Sequence, residues 1–166
     1  QDADAIRNDG FTNVIPIEEI KTIDGISIYR TTGHHGFGQI GQMMGPVSGY
    51  VLKAEGFPTV YIMGDCRWEA CIRDTVERFN PDYIVVNSGG AIFPEFSKTD
   101  GPIIPDENEV MQILDELPSH IKLIAVHMDA IDHCQTTRAI LRNEATHHEA
   151  DMSRLIIPED GETVVL

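Results

Sequence analysis

The stretch VYIMGDC at residues 60–66 decides the fold class, because an apolar strand there runs straight into a turn that ends in a carboxylate. Thr59–Met63 is predicted as a buried strand, and Gly64-Asp65 follows it. A helical pattern then begins, with Ala70, Ile72, Val76 and Phe79 at spacings that suit one buried helix face between Trp68 and Phe79. A strand, a turn and a helix in this order predict an α/β protein.

The same alternation extends in both directions from this stretch. Further strands are predicted at Ile26–Thr32, Tyr50–Ala54, Tyr83–Val86 and Lys122–Val126, and the second of these forms a hairpin with Thr59–Met63. Asp106 with Glu109 predicts a capping box at the start of one helix, and Thr136 or Thr137 starts another that runs to about His148. Leu155–Pro158 and Thr163–Leu166 predict a closing β-hairpin. We therefore expect residues 1–166 to form one α/β domain.

Composition excludes several classes of function. The chain has 166 residues, 27 acidic against 12 basic side chains and a net charge of −15, which argues against nucleic acid as a partner but allows a local pocket for a small phosphorylated substrate. No apolar run reaches the roughly 18 residues of a membrane span. The three cysteines, Cys66, Cys71 and Cys134, suit reduced thiols, so a cytoplasmic protein is expected.

Three polar residues follow directly on predicted strands. They are His35, Asp65 and His127, separated by 30 and 62 residues. Open α/β sheets bind ligands at the carboxyl ends of their strands, and two imidazoles with one carboxylate suit a zinc site. The alternative is three unrelated polar residues at strand ends.

Neighbouring histidines leave two questions open. Adjacent side chains on an extended segment point in opposite directions, so only one of His34 and His35 is expected to be a ligand. His133 either orients substrate and transfers a proton or is an ordinary loop histidine. No function is assigned to His120, His147 or His148.

Two other types of site compete with a metal site. Residues 36–41 match G-x-G-x-x-G, but a dinucleotide site also requires a helix to begin there, and we expect the segment to lead into another strand instead. The glycines then let the backbone either wrap around a site or turn sharply. Cys66 beside Asp65 leaves a cysteine nucleophile open, although nothing local favours it.

Taken together, four stretches resemble the second half of a metallo-β-lactamase-superfamily hydrolase, closest to the branch with ascorbate-6-phosphate lactonase-like proteins. They are residues 31–36 (TTGHHG), 47–52 (VSGYVL), 60–66 (VYIMGDC) and 124–128 (IAVHM). The resemblance runs from about Gly10 to Leu166. It implies one half of an αββα sandwich, that is, a mixed sheet with flanking helices.

The resemblance also implies a dinuclear metal centre. His35 would bind one ion, His127 the other, and Asp65 would bridge both. A hydroxide between the ions would attack a small ester, lactone, amide or phosphoester. Zinc is the first expectation, with manganese and iron as alternatives.

One departure from the family pattern is large. The H-x-H-x-D-H motif that supplies the family's other ligands does not occur in this chain. Residues 2–9 also resemble the end of a helix, so we expect an amino-terminal half upstream, as a separate chain or segment. This chain alone is then expected to be inactive and to leave an apolar sheet face for a partner; a homo-oligomer is compatible with this scheme.

Two rival functions remain. The chain could be a non-enzymatic binding or assembly module that keeps the fold, or a redox or cysteine-dependent enzyme.

Overall fold

The structure is a computed structural model that describes residues 2–96 and 100–166. Its elements, in chain order, are α1 (Ala3–Asn8), β1 (Ile20–Ile23), β2 (Ile26–His34), α2 (Gly38–Met44), β3 (Pro46–Lys53), β4 (Val60–Ile62), α3 (Ala70–Phe79), β5 (Tyr83–Asn87), α4 (Glu107–Glu116), β6 (Lys122–Val126), α5 (Arg138–His147) and β7 (Leu155–Ile156). No helix in these two ranges combines the length and the hydropathy of a membrane span.

The strands of the described residues form one mixed sheet in chain order. The pairs from β1 to β4 are antiparallel, and the pairs from β4 to β7 are parallel. The expected α/β class, with a mixed sheet and flanking helices, is confirmed. Because β2 runs in the same direction as β4, β5 and β6, the carboxyl ends of these four strands lie at one edge of the sheet.

Three helices cover one face of the sheet. The core contains Val51, Tyr61, Ile84 and Leu123 from the strands, packed with Ile72 of α3, Val110, Ile113 and Leu114 of α4 and Leu141 of α5. Thr137 and Asp106 cap the starts of α5 and α4, as predicted, by accepting hydrogen bonds from Ile140 N and Glu109 N. The capping box is only half formed, because the Glu109 carboxylate binds Arg67 and the Trp68 amide instead.

The opposite face of the sheet is apolar as well. Side chains alternate along a strand, so Leu52, Val60, Ile62 and Val85 lie opposite the core residues next to them. All four are partly exposed, Ile62 by 37%, and none belongs to the core cluster. We call Leu52, Val60, Ile62 and Val85 the outer sheet face.

Two sequence expectations are wrong. The closing hairpin is absent from the described residues, because β7 pairs in parallel with β6. The segment after β7 is held by α5 instead: Arg138 donates to Pro158 O, and Arg142 donates to Ile157 O. A helix does begin within the G-x-G-x-x-G segment, since α2 starts at Gly38. However, β2 and β3 pair antiparallel around α2, whereas the dinucleotide motif belongs to a parallel βαβ unit.

Glu116 predicts how stability responds to acid. Hydrogen bonds from Arg73, Gln112 and Trp68 lower the pKa of Glu116 from 4.5 to about 2. A carboxyl group whose pKa is lowered by folding stabilises the folded state at pH values above its pKa in the unfolded chain. For Glu116 this contribution to the unfolding free energy is lost as the pH falls from 4.5 towards 2.

We therefore expect Glu116→Gln to reduce the loss of unfolding free energy over that acid range. The carboxylate is 36% exposed, so the change should not exceed about 1 kcal/mol. Urea unfolding at a series of pH values measures it, and Arg73→Gln should reproduce it in part. If the unfolding free energies of wild type and Glu116→Gln fell in parallel over this pH range, Glu116 would not be the group responsible.

Candidate metal centre

The carboxyl edge of the sheet gathers the polar residues that follow the strands. His35 comes directly after β2, Asp65 follows β4, Asn87 ends β5 and His127 follows β6. The shared direction of these four strands brings residues that are distant in sequence to one edge.

His35 and Asp65 face each other across this edge. His35 Nδ1 lies 3.1 Å from the carbonyl oxygen of Ile103, and His35 Nε2 lies 4.0 Å from Asp65 Oδ2. A carbonyl only accepts hydrogen bonds, so Nδ1 carries a proton in this contact and Nε2 is the ring nitrogen that faces Asp65. The imidazole is therefore oriented as a ligand before any ion arrives.

The carbonyl that holds His35 belongs to a second apolar cluster. Ile40 of α2, Ala91, Ile103 and Ile104 pack together there, each no more than 4% exposed. Ile103 N also donates to Ala91 O at 2.8 Å. This packing fixes the position of the Ile103 carbonyl and so the ring of His35.

Asp65 is held by a turn and by a neighbouring amide. Gly64 has a φ of 69°, and a β-carbon there would lie 2.8 Å from Ser48 O, so both conformation and space require glycine. Asn87 Nδ2 donates to Asp65 Oδ1 at 2.6 Å. The carboxylate thus has one oxygen bound by Asn87 and the other turned towards His35.

His127 lies at the same edge and contacts Cys134. It has a φ of 64°, and its Nδ1 lies 3.7 Å from Cys134 Sγ. Burial raises the pKa of the Cys134 thiol, and the negative charge of Asp65 raises it further. The exposed His127 ring has no direct hydrogen bond or ion pair to Asp65 among the described contacts.

Gly89 allows the ends of β5 and β6 to approach at this point. A β-carbon there would collide with His127 O and would lie 2.7 Å from Cys134 Sγ. We expect Gly89→Ala to lower the free energy of unfolding by about 1–3 kcal/mol, as overpacking does. Chemical denaturation measures this loss. A Gly89→Ala variant as stable as wild type would contradict the close approach of His127 and Cys134 to this position.

The two neighbouring histidines have other contacts. His34 Nδ1 lies 2.8 and 2.9 Å from the two carboxylate oxygens of Glu69, so its ring is directed to Glu69 while His35 is directed to Asp65. The His133 ring stacks on Phe93 with centroids 5.3 Å apart. Within the described residues His133 makes no hydrogen bond or ion pair to Asp65, His35 or His127.

Cys66 is poorly suited to be a nucleophile. Its side chain is fully buried, and burial raises its pKa to about 12. The reactive thiolate is therefore disfavoured at neutral pH.

The donor atoms at this edge fit part of the coordination sphere of a divalent ion. An imidazole nitrogen that faces a carboxylate oxygen is a donor pair that Zn²⁺, Mn²⁺ or Fe²⁺ can bind. Among the described residues, no group of three His, Cys, Asp or Glu side chains could hold an ion. A catalytic zinc has three protein ligands, so a complete site here needs further donors.

Sequence reasoning missed three contributors to this edge: Asn87, Cys134 and the carbonyl of Ile103. Asn87 is the first polar residue after an apolar strand, which is the signal that singled out Asp65 and His127. Cys134 and Ile103 lie in loops, and no sequence signal places them near the strand ends.

Comparison with known proteins gives the same fold. No family model matches the chain. UPF0173 protein YddR of Bacillus subtilis (strain 168) is 32% identical over 164 residues, which are 98% of this chain, and the chain spans 62% of the length of that curated relative.

Two solved structures superpose closely. A possible metal-dependent hydrolase from Veillonella parvula has a TM-score of 0.91 at 31% identity, with 99% of this chain and 63% of that chain covered. Isothiocyanate hydrolase from Delia radicum gut bacteria has a TM-score of 0.87 at 34% identity, with 99% and 64% covered. The metallo-β-lactamase fold protein YhfI from Bacillus subtilis has a TM-score of 0.56 at 15% identity, with 94% of this chain and 58% of that chain covered, so the chain shares this fold.

Proposed function

From the metallo-β-lactamase fold that the chain shares with metallo-hydrolases, we propose that it is part of a metal-dependent hydrolase of small molecules. His35, Asp65 and His127 contribute ligands to a dinuclear centre, with zinc as the first expectation. The observation that carries this proposal is the geometry of His35, whose Nδ1 is bound to Ile103 O while Nε2 lies 4.0 Å from Asp65 Oδ2.

The residues of this chain have distinct tasks in the proposed reaction. A divalent ion, when bound, supplies Lewis acidity that activates water and stabilises developing negative charge. His35 offers an oriented nitrogen, and Asp65 offers carboxylate charge that offsets the charge of the cation. His133 precedes Cys134 in its loop, and its ring stacks on Phe93. We propose that His133 orients the substrate or moves a proton.

The proposed substrate has a small electrophilic centre. Esters, lactones, amides and phosphoesters all present a carbon or phosphorus atom that an activated water attacks. One similar protein acts on an isothiocyanate, which also has an electrophilic carbon, and this supports the wider class for the present chain.

The remaining ligands are proposed to come from residues outside this chain, on the same polypeptide or on a partner. Two observations support this. The described residues hold no group of three possible ligands, and the solved relatives named above have about a third of their length outside the match.

The outer sheet face supports the same proposal. Leu52, Val60, Ile62 and Val85 are apolar and partly exposed, and a covering layer there would bury them. A segment that packs on this face can also reach the carboxyl edge of the sheet with additional ligands.

The adjacent histidines allow a matched test. In the full-length protein, His35→Ala should lower kcat/KM by more than about 100-fold, because even the outer partners of metal ligands are typically worth 10- to 100-fold. His34→Ala, which removes the contact with Glu69, should stay within a few-fold of wild type. Hydrolysis of p-nitrophenyl acetate, a γ-lactone, bis(p-nitrophenyl) phosphate and allyl isothiocyanate, together with bound metal by mass spectrometry, measures both.

The outcome also separates the rival functions. Bound metal and hydrolysis that both depend on His35 support the hydrolase. A full-length wild-type protein that binds no zinc, manganese or iron and hydrolyses none of the probes would contradict it and favour the assembly module.

A further inference from the structure

We infer that Asn87 is a positioning residue, which holds Asp65 so that one carboxylate oxygen faces His35. This inference rests on the proposed function. Asn87 Nδ2 donates to Asp65 Oδ1 at 2.6 Å, and Oδ2 is the oxygen that lies 4.0 Å from His35 Nε2.

The sheet fixes Asn87 in place. It is the last residue of β5, and its backbone is paired with Val126, the last residue of β6. The residue before it, Val86, is fully buried in the core. The amide therefore projects from a rigid strand end, whereas Asp65 lies beyond the end of β4 and its side chain is 41% exposed. A short hydrogen bond from a rigid donor limits the rotation of this exposed carboxylate.

The chemistry of an amide suits this task. An ionised carboxylate only accepts hydrogen bonds, so the amide nitrogen is the group that faces it. A lysine or arginine in the same place would also orient Asp65, but its positive charge would oppose a divalent cation beside it. An amide orients the carboxylate without adding charge.

Removal of the amide should weaken metal binding. In the full-length protein we expect Asn87→Leu to reduce zinc affinity by about 10- to 100-fold, the usual effect of losing an outer partner. Asn108→Leu, which replaces an amide on α4 that donates to Glu107 Oε1 at 3.4 Å, is the matched control and should leave zinc affinity unchanged. Competition with a chromophoric zinc chelator measures the affinity, and urea unfolding of the metal-free protein reports any general loss of stability.

A double-mutant cycle distinguishes positioning from a structural effect. If Asn87 acts through Asp65, then Asn87→Leu in an Asp65→Ala background should change zinc affinity by less than about twofold. If Asn87→Leu does not fold, Asn87→Ser replaces it, because serine keeps a polar group but is too short to reach Asp65.

Three results would overturn the inference. One is zinc affinity of the Asn87 variant within threefold of wild type, and another is the same loss in the Asp65→Ala background. The third is a wild-type protein that binds no zinc, manganese or iron, which overturns the proposed function and this inference with it. The first two leave the proposed function standing.

Discussion

Asp65→Asn in the full-length protein is expected to lower kcat/KM by about 1,000-fold and to remove at least one bound metal ion. The amide keeps the size of the side chain and one oxygen, but it loses the negative charge that offsets the cations. Metal ions contribute several kcal/mol to transition-state stabilisation, and each 1.4 kcal/mol is worth tenfold in rate. Steady-state kinetics and metal analysis of the same preparation measure both effects.

A matched carboxylate provides the control for this prediction. Asp160 binds Arg138 at the surface, with a side chain that is 81% exposed. Asp160→Asn should leave kcat/KM and metal content within about twofold of wild type, because exposed pairs contribute little. If Asp65→Asn kept its full metal content and activity within tenfold of wild type, Asp65 would not be a ligand.

Glu109→Ala is expected to cost about 3–5 kcal/mol of unfolding free energy, the usual penalty for breaking a buried ion pair. Glu109 is 8% exposed and accepts hydrogen bonds from Arg67 Nε at 2.6 Å and from Trp68 N at 2.8 Å. Its loss leaves a guanidinium that is only 14% exposed without a counterion. The free energy of unfolding of a typical domain is about 5–15 kcal/mol in total, so this one substitution should bring the protein close to unfolding.

A double variant tests whether the stability lost in Glu109→Ala comes from leaving the Arg67 charge buried without a partner. Burial raises the pKa of Glu109 even though Arg67 lowers it, so desolvation outweighs the attraction between them. The double variant Arg67→Met/Glu109→Leu should therefore recover most of the lost stability. Asp115→Ala, on the same helix but in an exposed pair with His148, should cost less than about 1 kcal/mol. Equal losses in the single and double variants, measured by urea unfolding, would contradict this account.

The same ion pair connects stability to the candidate centre. Arg67 and Trp68 follow Asp65 by two and three residues, and Glu109 ties both to the first turn of α4. The position of Asp65 thus depends on a buried contact with a helix that begins more than forty residues later. Destabilisation at Glu109 should reduce metal affinity as well.

Much of the fold could be predicted because local patterns and tertiary packing agree. The sequences of β5 and β6 are short apolar runs, which predict buried strands. Asp106 and Thr137 have side-chain oxygens that cap the starts of α4 and α5. The β1–β2 hairpin was not predicted, although its turn contains an Asp24-Gly25 pair, which is a common sequence signal for a tight hairpin turn. Both residues have the positive φ that such a turn requires. β1 is exposed along its whole length, so it shows no clear apolar alternation.

The candidate centre was only partly predictable. The expectation that only one of His34 and His35 is a ligand follows from strand geometry, and the structure directs His35 to Asp65 and His34 to Glu69. The carbonyl that orients His35 belongs to Ile103, which lies 68 residues away and carries no sequence signal. The contact of Cys134 with His127 depends on a loop conformation that residue types do not specify.

The most direct test of the central claim is anomalous X-ray diffraction from crystals of the full-length protein grown with Zn²⁺. We predict a zinc peak about 2.0–2.2 Å from His35 Nε2 and from an Asp65 carboxylate oxygen, with a second peak near His127. Zinc peaks only at other places, with no ion between His35 and Asp65, would contradict the claim.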